Sequence, residues 1–441
     1  MSELWARALL STYRWAGAAS YPIVGSYLAR RASGGSDEKA RRRERYGRAG
    51  QSRPAGPLVW MHAAGDGETI ALVGLIETVL QQGIRVVLTT SSVSSGKLVE
   101  ERLGQRIIHQ FVPLDFKPAV SRFLSHWQPD LAIIAESEIW PMTILELSAR
   151  RIPHILVNGR MSDRAFAAWK KRAYLAEALF ENFSLVVAQS EKDAERFRLL
   201  GARPVKVSGN LKTDIGPAPV NEDELDRLHG QIGRRECWTA LATVKGEEVL
   251  LAEVHKLLKT RYQGILSVVV PREPYRADEI ENEMTALGLN VSRRARGDKI
   301  TSRTDILLGD TQGESGLYPR VAEVAFLGNS LVEGCGGCNP LETILAGSAV
   351  LSGQGIGYYR DIYTPLIARG GVKLVNDHTM LAGAVNFLLK NRVARVNMSN
   401  AAVGALDDMR GALGRTLREL EPYIQPLVVK SRLEDSRTAR R

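Results

Sequence analysis

The sequence predicts an α/β protein made of two consecutive Rossmann-like domains facing a central cleft. Short apolar runs rich in β-branched residues alternate with segments of helical period, the pattern of parallel sheets covered by helices on both faces. The alternation pauses once, at GPAPVNEDE (216–224), and then restarts. The 441 residues also exceed what one hydrophobic core usually organises, but suit two units of about 200 residues each.

In the first half the expected strands are LVWMHAA (58–64), RVVLTT (85–90), LAIIAES (131–137), HILVNGR (154–160), LVVAQS (185–190) and VKVSGN (205–210). Between the first two lies ETIALVGLIETVLQQG (68–83), a helix whose Ile70, Val73, Ile76, Val79 and Leu80 form one apolar stripe. The second half supplies CWTALATV, GILSVVVPRE, DILLGDT, VAFLGNS, AVLSGQG and GVKLVND. The expected organisation is a basic N-terminal segment (1–50), a first domain (51–215), a linker (216–228), a second domain (229–425) and a basic tail (426–441).

Charge is unevenly spread. Residues 1–50 hold ten Lys or Arg against four acids, which supplies +6 of the net +10. Before most of this charge stands WAGAASYPIVGSYLA (15–29), too short and too interrupted, by Pro22, for a spanning helix. A basic start and small residues would also fit a signal peptide. The reading adopted is an amphipathic or shallowly inserted segment followed by RRRER (41–45), facing anionic lipid on the cytoplasmic side; a solvated basic surface is the plainer alternative. No zinc-finger spacing or aromatic RNA-binding motif is present, so nucleic acid is not the expected partner.

Three cysteines, Cys237, Cys335 and Cys338, exclude a disulfide framework. Cys335-x-x-Cys338 lacks the companion pair that a structural zinc site needs, so no metal is expected.

Ligands of open parallel sheets bind outside the carboxyl ends of the strands. In GDGET (65–69), Glu68 opens a helix, where it suits either dipole neutralisation or proton abstraction. ESEIWP (136–141) offers Glu136 and Glu138, which alternate faces, so one is expected to serve the site and the other the structure. Lys212, in GNLKTD (209–214), could pair with negative charge. In EGCGGCNPLE (333–342), Asn339 suits an N-cap, Pro340 the first helical position and Glu342 a capping box. Gly334, Gly336 and Gly337 would let backbone amides approach an anion. GDTQGE (309–314) has a similar look. Taken singly, Glu68, Glu136, Glu138 and Lys212 are each more often structural than catalytic.

Together the motifs resemble one family. GDGET, ESEIWP, NGRMSDR (158–164), GNLKTD, GDTQGE and SLVEGCGGCNPLE (330–342) occur in the order found in the 3-deoxy-D-manno-octulosonic acid (Kdo) transferases, and RRRERYG (41–47) also fits. The resemblance implies the GT-B architecture, with an acceptor domain and a CMP-sugar domain. It implies inverting transfer of Kdo from CMP-Kdo to a lipid A precursor, with no cofactor and no metal. Glu68 would be the base, and Glu136 and Lys212 would stabilise the transition state. Pro271, Arg272, Gln312, Gly313, Glu314, Asn339, Pro340, Leu341 and Glu342 match the CMP-binding segments. The chain departs from the family's pattern at Val244, Glu273, Cys338 and Gly355, each at a place where histidine is usual. Glu273 would add negative charge near an anionic donor, with Arg276 expected to compensate. These departures would also suit a paralogue using another acidic sugar or acceptor, or a silent binding protein.

Overall fold

Strand β1 (Leu58–Ala63) is buried at every position, with His62 its one polar residue. Such continuous apolar runs are what a parallel strand covered on both faces requires. The structure is a computed structural model that describes residues 36–438. The apolar stretch before Ser36, and the membrane contact expected of it, lie outside the described residues. Among the described residues no helix is long and apolar enough to cross a membrane.

The chain forms two compact units, one running to Ile215 and resumed from Arg410, the other Gly216–Met409. In the first, β1 is joined by β2 (Arg85–Thr90), β3 (Ile108–Phe111), β4 (Leu131–Ala135), β5 (His154–Gly159), β6 (Leu185–Ala188) and β7 (Val205–Val207). They make a seven-stranded parallel sheet ordered β3-β2-β1-β4-β5-β6-β7. The order reverses between β1 and β4, so the chain leaving these strands departs toward opposite sides and opens a crevice.

The second unit holds β8 (Cys237–Thr243), β9 (Leu266–Pro271), β10 (Val291–Arg293), β11 (Ile306–Leu308), β12 (Val324–Leu327), β13 (Ala349–Ser352) and β14 (Val372–Leu374). This sheet too is parallel, ordered β10-β11-β9-β8-β12-β13-β14, with its reversal between β8 and β12. Two strands, β3 and β10, were not expected from the sequence. Both are short and carry polar residues, His109 and Gln110 in one and Ser292 and Arg293 in the other. β10 is an edge of its sheet, where a strand needs no continuous apolar run; β3 is the edge on its side of the first sheet.

Three boundaries differ from expectation. The polar stretch 216–228, read as a linker, contains the start of helix Glu222–Ile232. Asn221 caps it by accepting from the Glu224 amide at 3.2 Å, and Leu225, Leu228 and Ile232 are buried. The second domain does not run to residue 425. From Arg410 the chain packs on the first unit, and helix Ala412–Thr438 takes in residues 426–438 of the segment expected as a tail. Leu420, Ile424, Leu427 and Val428 enter the first core, an amphipathic period that Pro422 and Pro426 disguise as a broken helix. Asp214 caps it, accepting from the Gly411 and Leu413 amides at 2.7 and 2.5 Å. Tyr423 donates to the Ser184 carbonyl at 2.8 Å and Ser431 to the Gly83 carbonyl at 2.9 Å.

This helix also explains why Asp66–Gln81 turned relative to its expected stripe. Its buried residues are Thr69, Ala71, Leu72, Leu75, Ile76 and Val79, whereas Val73 and Leu80 are half-buried in the same cluster as Leu413 and Leu417. A helix covered on two flanks has no single apolar stripe.

The RRRER cluster ends helix Ser36–Arg45. Arg41 and Arg45 stack on the Phe111 ring, 4.7 and 4.6 Å from its centroid, and Glu44 accepts from the Phe111 amide at 2.7 Å. Part of the charge expected to face lipid therefore fastens this helix to β3.

Candidate active site

Glu68 is positioned by the turn after β1. Gly65 is the extended residue that precedes helix Asp66–Gln81, and the Glu68 carboxylate at the third helical position folds back to accept from its amide at 3.1 Å. A Cβ on Gly65 would stand 2.9 Å from Glu68 Oε2, so only glycine lets the carboxylate come this close.

Glu136 follows β4 in the left-handed region, at φ 61°, with its amide donating to the Val157 carbonyl at 2.9 Å. Such backbone is uncommon outside glycine and asparagine and turns the side chain back over the strand ends. Beyond β7, Asn210 accepts from the Lys212 amide at 3.0 Å and starts the turn Leu211–Asp214. Lys212 is thereby aimed inward, and its ammonium forms an ion pair with Glu136 Oε1. Glu68 is within hydrogen-bond reach of the same carboxyl. The structure thus brings Glu68, Glu136 and Lys212 together at the reversal point of the first sheet.

Burial raises the Glu136 carboxyl above its ordinary range, Lys212 works against that, and the nearby Glu68 adds to it. Two carboxylates this close cannot both ionise cheaply, so the arrangement holds or receives a proton readily. Glu138 takes the structural part. It accepts from Trp140 Nε1 at 2.7 Å and lies 3.9 Å from His62 Nε2. Burial raises its carboxyl, but these two partners leave it below the ordinary range.

In the second unit the reversal point is organised by Glu247, which the sequence reading passed over. This wholly buried carboxylate accepts from the amides of Val244, Asn329, Ser330 and Leu331 at 3.1, 2.6, 2.8 and 2.9 Å. It therefore joins the turn after β8 to the turn after β12. The available signal was its place just after Gly246 at the mouth of a helix.

Arg272 follows Pro271 at the end of β9. It is exposed, and its guanidinium makes no ion pair or side-chain hydrogen bond among the described residues. Gln312 and Gly313 are exposed as well. Glu314 is already engaged, accepting from Arg294 at 2.7 and 3.2 Å and from Tyr318 at 2.9 Å.

The glycine-rich loop departs from its expected form. Helix Leu341–Leu345 begins one residue later than expected, with Asn339 Oδ1 accepting from the Leu341 amide at 3.1 Å. Pro340 and Leu341 are buried, so their side chains are part of the packing. The Gly337 amide, expected to face an anion, donates to the Asn329 carbonyl at 2.7 Å. A Cβ on Gly336 would fall 2.2 Å from the Tyr358 ring, so this glycine serves close packing. Cys335 and Cys338 are free thiols. Burial pushes Cys338 up to about 12 and also raises Cys335, leaving both protonated and poor nucleophiles.

Arg276 does not compensate Glu273. It is buried, pairing with Glu248 at 3.0 Å and Glu279 at 3.2 Å, while Glu273 is exposed and bonded by Tyr275.

Two parallel-sheet units of this kind define the GT-B class. At the level of fold, the chain is similar to the crystal structure of a putative UDP-N-acetylglucosamine 2-epimerase from Listeria monocytogenes, with TM-score 0.57 and 15% identity over 85% of this chain and 98% of that one. Residues 40–215 match the family model described as 3-deoxy-D-manno-octulosonic-acid transferase (kdotransferase). A probable mitochondrial 3-deoxy-D-manno-octulosonic acid transferase of Arabidopsis thaliana is 31% identical over 84% of this chain and 86% of its own length. The 3-deoxy-D-manno-octulosonic acid transferase of Haemophilus influenzae is also 31% identical, over 87% and 91%. The chain belongs to the 3-deoxy-D-manno-octulosonic acid transferase family.

Proposed function

We propose that this transferase moves Kdo from CMP-Kdo to a hydroxyl of a lipid A precursor, with inversion at the anomeric carbon. The observation that carries the reading is the meeting of Glu68, Glu136 and Lys212 at one reversal point. Glu68 takes the proton of the attacking hydroxyl as the new C–O bond forms and the bond to the CMP phosphate breaks. Lys212 and Glu136 supply fixed charge for the transition state, in a site where burial strengthens each interaction. Arg272, exposed and without an ion pair in its own unit, suits the departing phosphate.

The same reading places the enzyme at the cytoplasmic face of an inner membrane, where its lipid acceptor resides, and needs no metal. The test is transfer from CMP-Kdo to a tetraacyl lipid A precursor, followed by mass spectrometry of the lipid, with and without chelator. The expected result is a gain of Kdo mass, unchanged by chelator, that Glu68→Ala abolishes. No gain with either protein overturns the reading. A second reading turns on Glu273, which makes no ion pair among the described residues; a related acidic sugar outcompeting CMP-Kdo would establish that alternative.

A further inference from the structure

We infer that Asn158 is the positioning residue that sets Glu136 and Lys212 relative to one another. Asn158 is the penultimate residue of β5 and is wholly buried. Its Nδ2 donates to Glu136 Oε1 at 3.3 Å, the same oxygen that pairs with Lys212. Its Oδ1 accepts at 2.9 Å from the amide of Leu211, the residue before Lys212. One planar amide therefore spans the carboxylate and the turn that carries the ammonium.

The orientation of that amide is fixed by chemistry. A backbone N–H can only donate, so the oxygen must face Leu211 and the nitrogen must face Glu136. The backbone of Asn158 is equally constrained. It lies in the left-handed region at φ 53°, which asparagine tolerates better than other residues with a Cβ, and its carbonyl accepts from Gln189 Nε2 at 3.1 Å. Neither group it joins is its neighbour in sequence.

Asn158 acts on Glu136 in two ways. It holds Oε1 where Lys212 reaches it, and as a donor it favours the ionised carboxylate. The other charged groups facing Glu136 are Lys212, from the turn after β7, and Glu68, from the helix after β1. Asn158→Asp keeps the acceptor for Leu211 but replaces the donor facing Glu136 with an oxygen of a third carboxylate. Asn158→Ala removes both arms.

The inference rests on the proposed transfer reaction, and the experiment separates the two. Steady-state transfer is measured across pH for wild type, Asn158→Asp and Asn158→Ala, each first checked for native far-UV circular dichroism and thermal midpoint. The expected result is a fall in kcat of about 10- to 100-fold with both KM values within about threefold. The acid limb of the Asn158→Asp profile should also move to higher pH, because Glu136 becomes harder to ionise. Asn158→Ser, small enough to fit and able to donate, should recover part of kcat. A well-folded Asn158→Asp with wild-type kcat and an unmoved acid limb overturns the inference, as does failure of all three variants to fold, which would make the residue a folding requirement. Inactive wild type overturns the functional reading itself, and this inference with it.

Discussion

Lys212 and Glu136 form an ion pair with 9% and 8% of their side chains exposed, in a site that also holds a second carboxylate, Glu68. A buried pair of this kind adds little to stability relative to apolar residues, yet removing one partner strands the other. Lys212→Ala should therefore destabilise the protein at pH 7 by about 3–5 kcal/mol. The loss should shrink on acidification. Without the ammonium, the native Glu136 carboxyl rises further above its unfolded value, so its contribution is present at low pH and lost as pH rises through the native value. Urea unfolding across pH measures this, and adding Glu136→Leu to Lys212→Ala should recover much of the loss without restoring transfer.

Gly65→Ala tests the approach of Glu68 to its own helix start. The Gly65 backbone is extended, so alanine fits the chain and should cost less than about 1 kcal/mol. Its Cβ would displace the Glu68 carboxylate, and kcat should fall about tenfold or more for a proposed base moved out of line. Equal kcat in the variant would remove the geometric argument for Glu68.

Glu247→Gln should loosen the turn after β12. An amide in place of the carboxylate sets an N–H against backbone N–H groups, and about 2–4 kcal/mol of stability should go with the lost charge-assisted bonds. Calorimetry of the whole chain reads the stability, and titration with CMP should show weakened binding if that turn shapes the nucleotide site.

Acid should destabilise the protein through His154. This residue is 1% exposed, and burial lowers its imidazole from the ordinary 6.5 to about 4. The native state holds it neutral, so its contribution is present above pH 6.5 and disappears as pH falls toward 4, amounting to about 3 kcal/mol. His154→Phe, which keeps a ring against Phe183, should flatten the fall in thermal midpoint between those values.

Asp214→Ala removes the carboxylate that caps helix Ala412–Thr438. A loss of about 1–2 kcal/mol is expected, with faster proteolysis near Gly411.

Much of this architecture was legible because its strands are buried on both faces. Runs such as LVWMHA and LAIIA have few other places to go, and the residues just beyond them mark the sheet's reversal point. Glu68, Glu136 and Lys212 were therefore visible individually, and motif order gathered them. The connections were harder to see. Asn158 and Glu247 act through backbone amides distant in sequence, which leave no periodic trace. The last helix was hidden by two prolines, and by its use of a surface belonging to the other half of the chain. Arg276 was misjudged for a related reason: burial beside Glu248 could not be read from its proximity to Glu273.

The return of residues 410–438 to the first unit has a consequence for synthesis. The second unit, Gly216–Met409, is inserted within the first and is complete in sequence before the first one is. On the ribosome, the apolar flank of helix Asp66–Gln81 must wait uncovered while the rest of the first unit up to Ile215 and then the whole of Gly216–Met409 emerge. The domain that is translated first is thus the last to be finished. A nascent chain arrested before residue 410 should bind a chaperone through that flank and release it once helix Ala412–Thr438 has emerged.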